Sequence, residues 1–93
     1  MKFEWDPDKA LSNLRKHGVL FEDAIDAFSD PWSLVIEDKE SVGERRYNQI
    51  GMVSERLLNV TFTWRDEVCR VISARGATRY ERRLYHEATN RPW

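Results

Sequence analysis

One cysteine, Cys69, stands in an apolar stretch with no second thiol to meet it, which excludes an internal disulfide and a cysteine-based zinc site. A buried structural thiol is the expected role. Long hydrophobic runs are missing as well. The opening Met1-Lys2-Phe3-Glu4-Trp5-Asp6 turns acidic at once, which speaks against a signal peptide or a membrane span and for a reducing cytoplasm. No Gly-rich phosphate loop, nucleophile elbow, internal repeat or Gly/Ser linker appears in the 93 residues. A single domain over residues 1–93 is therefore the economical arrangement, with a loose tail at 89–93.

Lysine is also absent beyond Lys39, and that absence exposes a division of charge. Residues 1–44 hold 5 Lys/Arg against 11 Asp/Glu, while residues 45–93 hold 10 basic residues, all arginine, against 5 acidic ones. The net charge of -1 thus conceals a first part at -6 and a second at +5. Guanidinium groups match phosphate oxygens with two parallel hydrogen bonds and keep their charge when partly buried, so a polyanion-binding second half is one reading. A salt-bridged surface is the other. Four tryptophans, three tyrosines and four phenylalanines supply the large side chains that a short chain needs for a core.

Periodicity lays out an α+β domain. Asp6 can cap a helix with Pro7 at its first position, Ala10, Leu11 and Leu14 forming an apolar face and Gly18 ending it. Phe21, Ala24, Ile25 and Phe28 continue as a second short helix, stopped at Ser29-Asp30-Pro31. Strands are expected from Trp32 to Ile36, Arg45 to Val53, Leu57 to Trp64 and Val68 to Ala74, the last pair turned at Arg65-Asp66. In the third, Leu58, Val60, Phe62 and Trp64 point one way and Asn59, Thr61 and Thr63 the other. Thr78 and Glu81 have the spacing of a capping box, opening a last helix to about Ala88. There Tyr80, Leu84 and Ala88 are expected to face the sheet, with Arg79, Arg82, Arg83 and His86 on a neighbouring stripe. The sheet is expected to have four antiparallel strands, with room for a short extra strand at the N-terminus.

Phe3-Glu4-Trp5-Asp6, Asn13-Leu14-Arg15-Lys16-His17-Gly18, Phe21-Glu22-Asp23-Ala24 and Ile72-Ser73-Ala74-Arg75 with Ala77-Thr78 and Glu81 together resemble the BrnT toxin family. The resemblance spans roughly residues 3 to 88 and rests on the order and spacing of the pieces. It implies a RelE-like ribonuclease fold, RNA cleavage that halts translation, and neutralisation by a BrnA-type antitoxin with a ribbon-helix-helix DNA-binding end. It further implies a heterotetramer of two toxins and two antitoxins that represses its own operon, with DNA contacted mainly through the antitoxin. The family often places an acidic residue directly before the arginine five positions ahead of Gly51. Here Arg45 precedes Arg46, and Glu44, one residue earlier, would share a strand face with Arg46.

RNA can be cut through attack by its own 2'-hydroxyl, which asks the protein for a proton acceptor, a proton donor and charge stabilisation at phosphorus. No cofactor or metal is required by that chemistry. Arg65 at a hairpin turn, and Arg75 and Arg79 around the passage into the last helix, are the candidate phosphate ligands and match arginines of the family pattern. The helix start after Thr78 adds a possible anion site. The alternative for Arg75 and Arg79 is an ion pair with Glu81 or Glu87.

Lys16 and His17 are candidates for charge and proton transfer, although Lys-His-Gly also suits a helix C-terminus. Glu44 and Arg46 complete the catalytic candidates through the family pattern. Arg79, Tyr80, Arg82, Arg83 and Trp64 are the candidate RNA-binding residues, since aromatic and basic side chains together suit single strands. Tyr80 and Tyr85 could equally pack a core, and Trp64 could equally meet the antitoxin. Asp6 and Asp8 could ligate a metal, but Asp-Pro-Asp is also a helix start. A different function class, a non-catalytic module whose basic half holds nucleic acid and whose acidic half docks a partner, fits the charge division too.

Overall fold

The structure, a computed structural model, describes residues 1–89. Strand β1 (Lys2–Glu4) leads into helix α1 (Pro7–His17), then α2 (Phe21–Ala24), which tightens into a 3-10 turn over Ile25–Ser29. Four strands follow, β2 (Leu34–Asp38), β3 (Arg46–Val53), β4 (Arg56–Arg65) and β5 (Val68–Gly76), before helix α3 (Arg79–Thr89). Thr89, the first residue of the tail expected to be loose, closes α3. Residues 90–93 of that tail lie outside the described residues.

The sheet has five strands in the order β1-β5-β4-β3-β2 and is mixed, because β1 runs parallel to β5. The short extra N-terminal strand allowed for is present as β1, and its parallel pairing corrects the expected all-antiparallel sheet. Three residues are too few to show a strand period, and what holds β1 is distant in sequence: the Phe3 ring lies 5.2 Å from Phe28, and Glu4 accepts from Arg70 at 2.6 Å. The expected second helix is likewise half α and half 3-10. Ser54 and Asp66 take left-handed φ values of 55° and 56° in the two-residue turns that join β3 to β4 and β4 to β5.

Asp6 caps α1 by accepting from the Asp8 amide at 2.8 Å, and Gly18, at φ 70°, closes it by donating to the Leu14 carbonyl. One face of the sheet packs Leu58, Val60, Val71 and Ala74 against Phe21, Ala24 and Ala27 from α2 and the 3-10 turn. Burial of a side chain such as Phe21 contributes about 1.5–3 kcal/mol. The 3-10 turn can lie this close because β3 offers Gly51 beneath the Ala27 backbone. Cys69 is buried on the same side, as expected of a structural thiol, and burial pushes its pKa up to about 12.

The opposite face packs Ile50, Leu57, Leu34 and Ile36 under α3 through Tyr85. Here α3 is rotated from its expected setting. Tyr80 is 63% exposed and Tyr85 only 6%. Two polar contacts fix that rotation: Glu81 is drawn onto the sheet by Arg75 and Asn59, and the Tyr85 hydroxyl donates to Asp30 at 2.7 Å. Apolar periodicity alone could not register either pull.

Candidate active site

Helix α3 covers only part of its face, and the uncovered part is polar. Ser73, Thr61 and Asn48 are successive register partners across β5, β4 and β3, and the Thr61 hydroxyl donates to Asn48 Oδ1 at 2.8 Å. Arg75 and Asn59 form the next row toward α3. Arg70 and Thr63 lie on the other side of the Ser73–Thr61 pair, and Arg46 projects from β3 on the same face as Asn48.

Simple alternation would send Arg70 and Ser73 to opposite faces, since they are three residues apart. The irregularity at Thr61/Phe62 inserts Ile72 without a register partner and brings both onto one face.

Arg75 is held in place by a carboxylate. Its Nη1 and Nη2 donate to Glu81 Oε1 and Oε2 at 2.8 and 3.0 Å, and Nη1 also donates to the Gly76 carbonyl. Glu81 accepts in addition from Asn59 Nδ2 at 2.7 Å and from the Thr78 amide at 2.9 Å, while the Thr78 hydroxyl accepts from the Glu81 amide, completing the capping box. Burial resists ionisation of Glu81, but the bonds from Arg75, Thr78 and Asn59 outweigh it and pull the carboxyl down to about 2. The same carboxylate raises the Arg75 pKa against the opposing effect of burial.

The ion pair weighed as the alternative role of Arg75 is therefore formed. Among the described residues, no protein group meets its Nε, so the Nε–Nη2 edge of the fork stays open. The helix start after Thr78 is a poorer anion site than expected, because the Glu81 carboxylate already lies there.

Helix α1 borders this face along the edge of β5. Asn13, buried, donates to the Ala74 and Val19 carbonyls at 2.8 and 3.0 Å and accepts from the Ala74 amide at 3.0 Å, so its side chain stands in for a neighbouring strand. That anchor places Lys9, Ser12, Lys16 and His17 beside Ile72 and Ser73, around a cavity of about 180 Å³. His17 also ends α1, so its position satisfies the helix-terminus reading without removing it from the site.

The other expected residues fall at three places. Glu44 and Arg46 do share a face: the Arg46 Nε donates to Glu44 Oε1 at 3.2 Å. Arg65 pairs with Val68 at the far end of the β4–β5 hairpin, six positions along β4 from the partner of Arg75, a span of about 20 Å. Arg65 and Arg75 therefore do not close on one pocket; they mark the two ends of one strip. Arg79, Tyr80, Arg82 and Arg83 are all exposed on α3, and Arg83 lines an open hollow of about 430 Å³ with His86 and Glu87. Trp64 points to the opposite face, edge-on to Phe62 at 5.8 Å and half exposed.

Sequence reading separated Asn59, Thr61 and Thr63 from the apolar side of β4 but did not single them out. It missed Asn48, Ser73, Arg70 and Asn13 as members of a shared face. Their signal lies in cross-strand register, and the only local hint is a polar residue at alternate positions of two adjacent strands.

Among the described residues, no three of His, Cys, Asp and Glu come together to hold a metal ion. No helix there is long and apolar enough to cross a membrane. No curated protein matches the chain. The family model for the ribonuclease toxin BrnT, of type II toxin-antitoxin systems, matches residues 5–81, a span that takes in α1, the whole of β2 to β5 and the Arg75–Glu81 pair. By that match the chain belongs to the BrnT family of ribonuclease toxins.

Proposed function

We propose that this toxin is a single-domain, RelE-like endoribonuclease of the cytoplasm that cuts RNA on the polar sheet face beside α1 and Arg75 and so halts translation. The observation that carries the reading is the row Ser73–Thr61–Asn48, bordered by Lys16 and His17 along the β5 edge and by the fixed Arg75 fork in the next row toward α3. Hydroxyl and amide groups can hold ribose and phosphate oxygens, and the cations supply what a polyanion needs.

In the proposed reaction His17 takes the proton from the ribose 2'-hydroxyl as that oxygen bonds to phosphorus. The phosphorus–O5' bond breaks, the departing oxygen gains a proton from water, and a 2',3'-cyclic phosphate remains. Lys16 and the Nε–Nη2 edge of Arg75 hold the phosphoryl oxygens as their charge grows, an arrangement that suits stabilisation because the guanidinium is oriented beforehand. Arg46 with Glu44 and Arg65 extend the contact along the strands, and the exposed Arg79, Tyr80, Arg82 and Arg83 extend it along α3, while Trp64, on the opposite face, takes no part. No cofactor is needed for these steps. Restraint comes from a cognate antitoxin with a ribbon-helix-helix end, in a two-by-two complex that represses its operon mainly through the antitoxin's DNA contacts.

The test is end-labelled RNA, offered both free and in a cell-free translation extract, with a chelator present. Fragments ending in cyclic phosphate are expected. His17→Ala and Lys16→Ala should slow their appearance by about a hundred-fold or more while leaving the circular dichroism spectrum unchanged. Intact RNA in both settings, or a retained complex without cleavage, would leave a binding module in place of an enzyme.

A further inference from the structure

Helix α1 is amphipathic in an unusual sense, since it is only narrowly buried. Ala10 and Asn13 face the core, Lys9, Ser12 and Lys16 lie on one flank, and Leu11 and Leu14 lie on the other. The leucine flank is not covered. Leu11, Leu14 and Leu20 are 48%, 37% and 42% exposed, and with Trp5, Pro7, Ala10 and Phe21 they line an open groove of about 290 Å³. Scattered exposed leucines need no explanation, but three converging on one hollow with two aromatic rings mark a contact surface. The volume lies at the low end for small-molecule sites and suits the anchoring side chains of a peptide helix.

Charge indicates the kind of partner. Glu22 lines the groove itself and Asp8 is exposed next to Pro7 on its wall, against Arg15 on α1, while Asp23 and Asp26 line a separate hollow with Arg56. We infer that this groove docks the antitoxin, through an amphipathic segment carrying apolar anchors with basic residues beside them. The inference rests on the toxin having a protein antitoxin, and it separates the two functions across one helix. The leucine flank takes the partner and the lysine flank borders the RNA face.

The experiment titrates the protein encoded by the adjoining gene into the toxin by calorimetry and follows growth on co-expression. Leu14→Asp with Leu20→Asp should weaken binding by about thirty-fold or more, the scale of an interface anchor. The variant should still arrest growth and should no longer be rescued. Leu20 occupies the N-cap of α2 with no side-chain cap bond, so aspartate there is compatible with the fold.

Glu22→Lys, a surface change, should weaken binding several-fold, most at low salt. Native-like affinity of either variant overturns the assignment, and Glu22→Lys decides alone if the double variant misfolds. Lys16→Glu should keep its affinity for the antitoxin; loss of binding there and not in the leucine variant would move the dock to the other flank and overturn the proposal. If Lys16→Glu still arrests growth while the leucine variant escapes the antitoxin, the dock stands and the nuclease site falls.

Discussion

Replacing Glu81 by alanine removes one carboxylate and four hydrogen bonds of the α3 start. The Arg75 side chain is 37% exposed and can be rehydrated, so its ion pair contributes about 1 kcal/mol. Asn59 cannot be rehydrated. It is 2% exposed, its Oδ1 already lacks a partner, and without Glu81 its Nδ2 is stranded too, at a cost of about 1–3 kcal/mol. With the lost cap, the change should destabilise by about 2–4 kcal/mol, which for a domain of this size lowers Tm by roughly 10–25 °C.

The titration of Glu81, which reflects the same contacts, gives a similar figure. The Glu81 pKa of about 2, against an ordinary 4.5, corresponds to roughly 3 kcal/mol, reduced to on the order of 2 because Arg75 faces solvent. Since the folded value is depressed, this stability is complete above pH 4.5 and disappears as pH falls through about 2. Urea unfolding of the wild type and Glu81→Ala at stepped pH measures both effects. The two proteins should differ most near neutrality and converge in acid. A difference under about 0.5 kcal/mol at pH 7, or parallel acid profiles, would refute the reasoning.

Two further changes test what positions the site. Gly51→Ala would set its Cβ 2.5 Å from the Ala27 carbonyl oxygen, a backbone atom that cannot swing away, so about 2 kcal/mol of stability should be lost by thermal unfolding. Asn13→Leu removes three buried hydrogen bonds, two to Ala74 at the β5 edge and one to the Val19 carbonyl, and should cost about 3 kcal/mol, with the Ala74 amide losing protection first in hydrogen exchange.

What could be read from sequence was whatever a local rule encodes. Asp6-Pro7 at one end of α1 and Gly18 at the other, the Thr78–Glu81 box, and the alternation of Leu58, Val60 and Phe62 all act over a few residues, and all appear as expected. The parallel β1 and the rotation of α3 depend on partners tens of residues away, and the common face of Arg70, Ser73 and Arg75 depends on a bulge in the pairing with β4. Arg75 and Arg65 illustrate the limit. The sequence already sets Arg65 at the hairpin turn and Arg75 at the end of the last strand, but only the register, with its bulge, tells that both emerge on the polar face.

The same register explains why one carboxylate can serve three purposes. Asn59 and Arg75 are directly opposed on β4 and β5, so their side chains emerge together under the first turn of α3, where the capping box has already turned the Glu81 carboxylate back toward Thr78. Capping α3, docking it on the sheet and fixing the Arg75 fork are therefore one event. An arginine on an open strand would sample many rotamers and lose that freedom only on meeting a ligand. Held by Glu81 along its Nη1–Nη2 edge, this one has lost most of it on folding, and the edge it still offers is set at a defined place beside Ser73 and Thr61. The local cap thus determines the orientation of a distant charge, and the stability of the last helix and the readiness of the polar face are coupled through a single side chain.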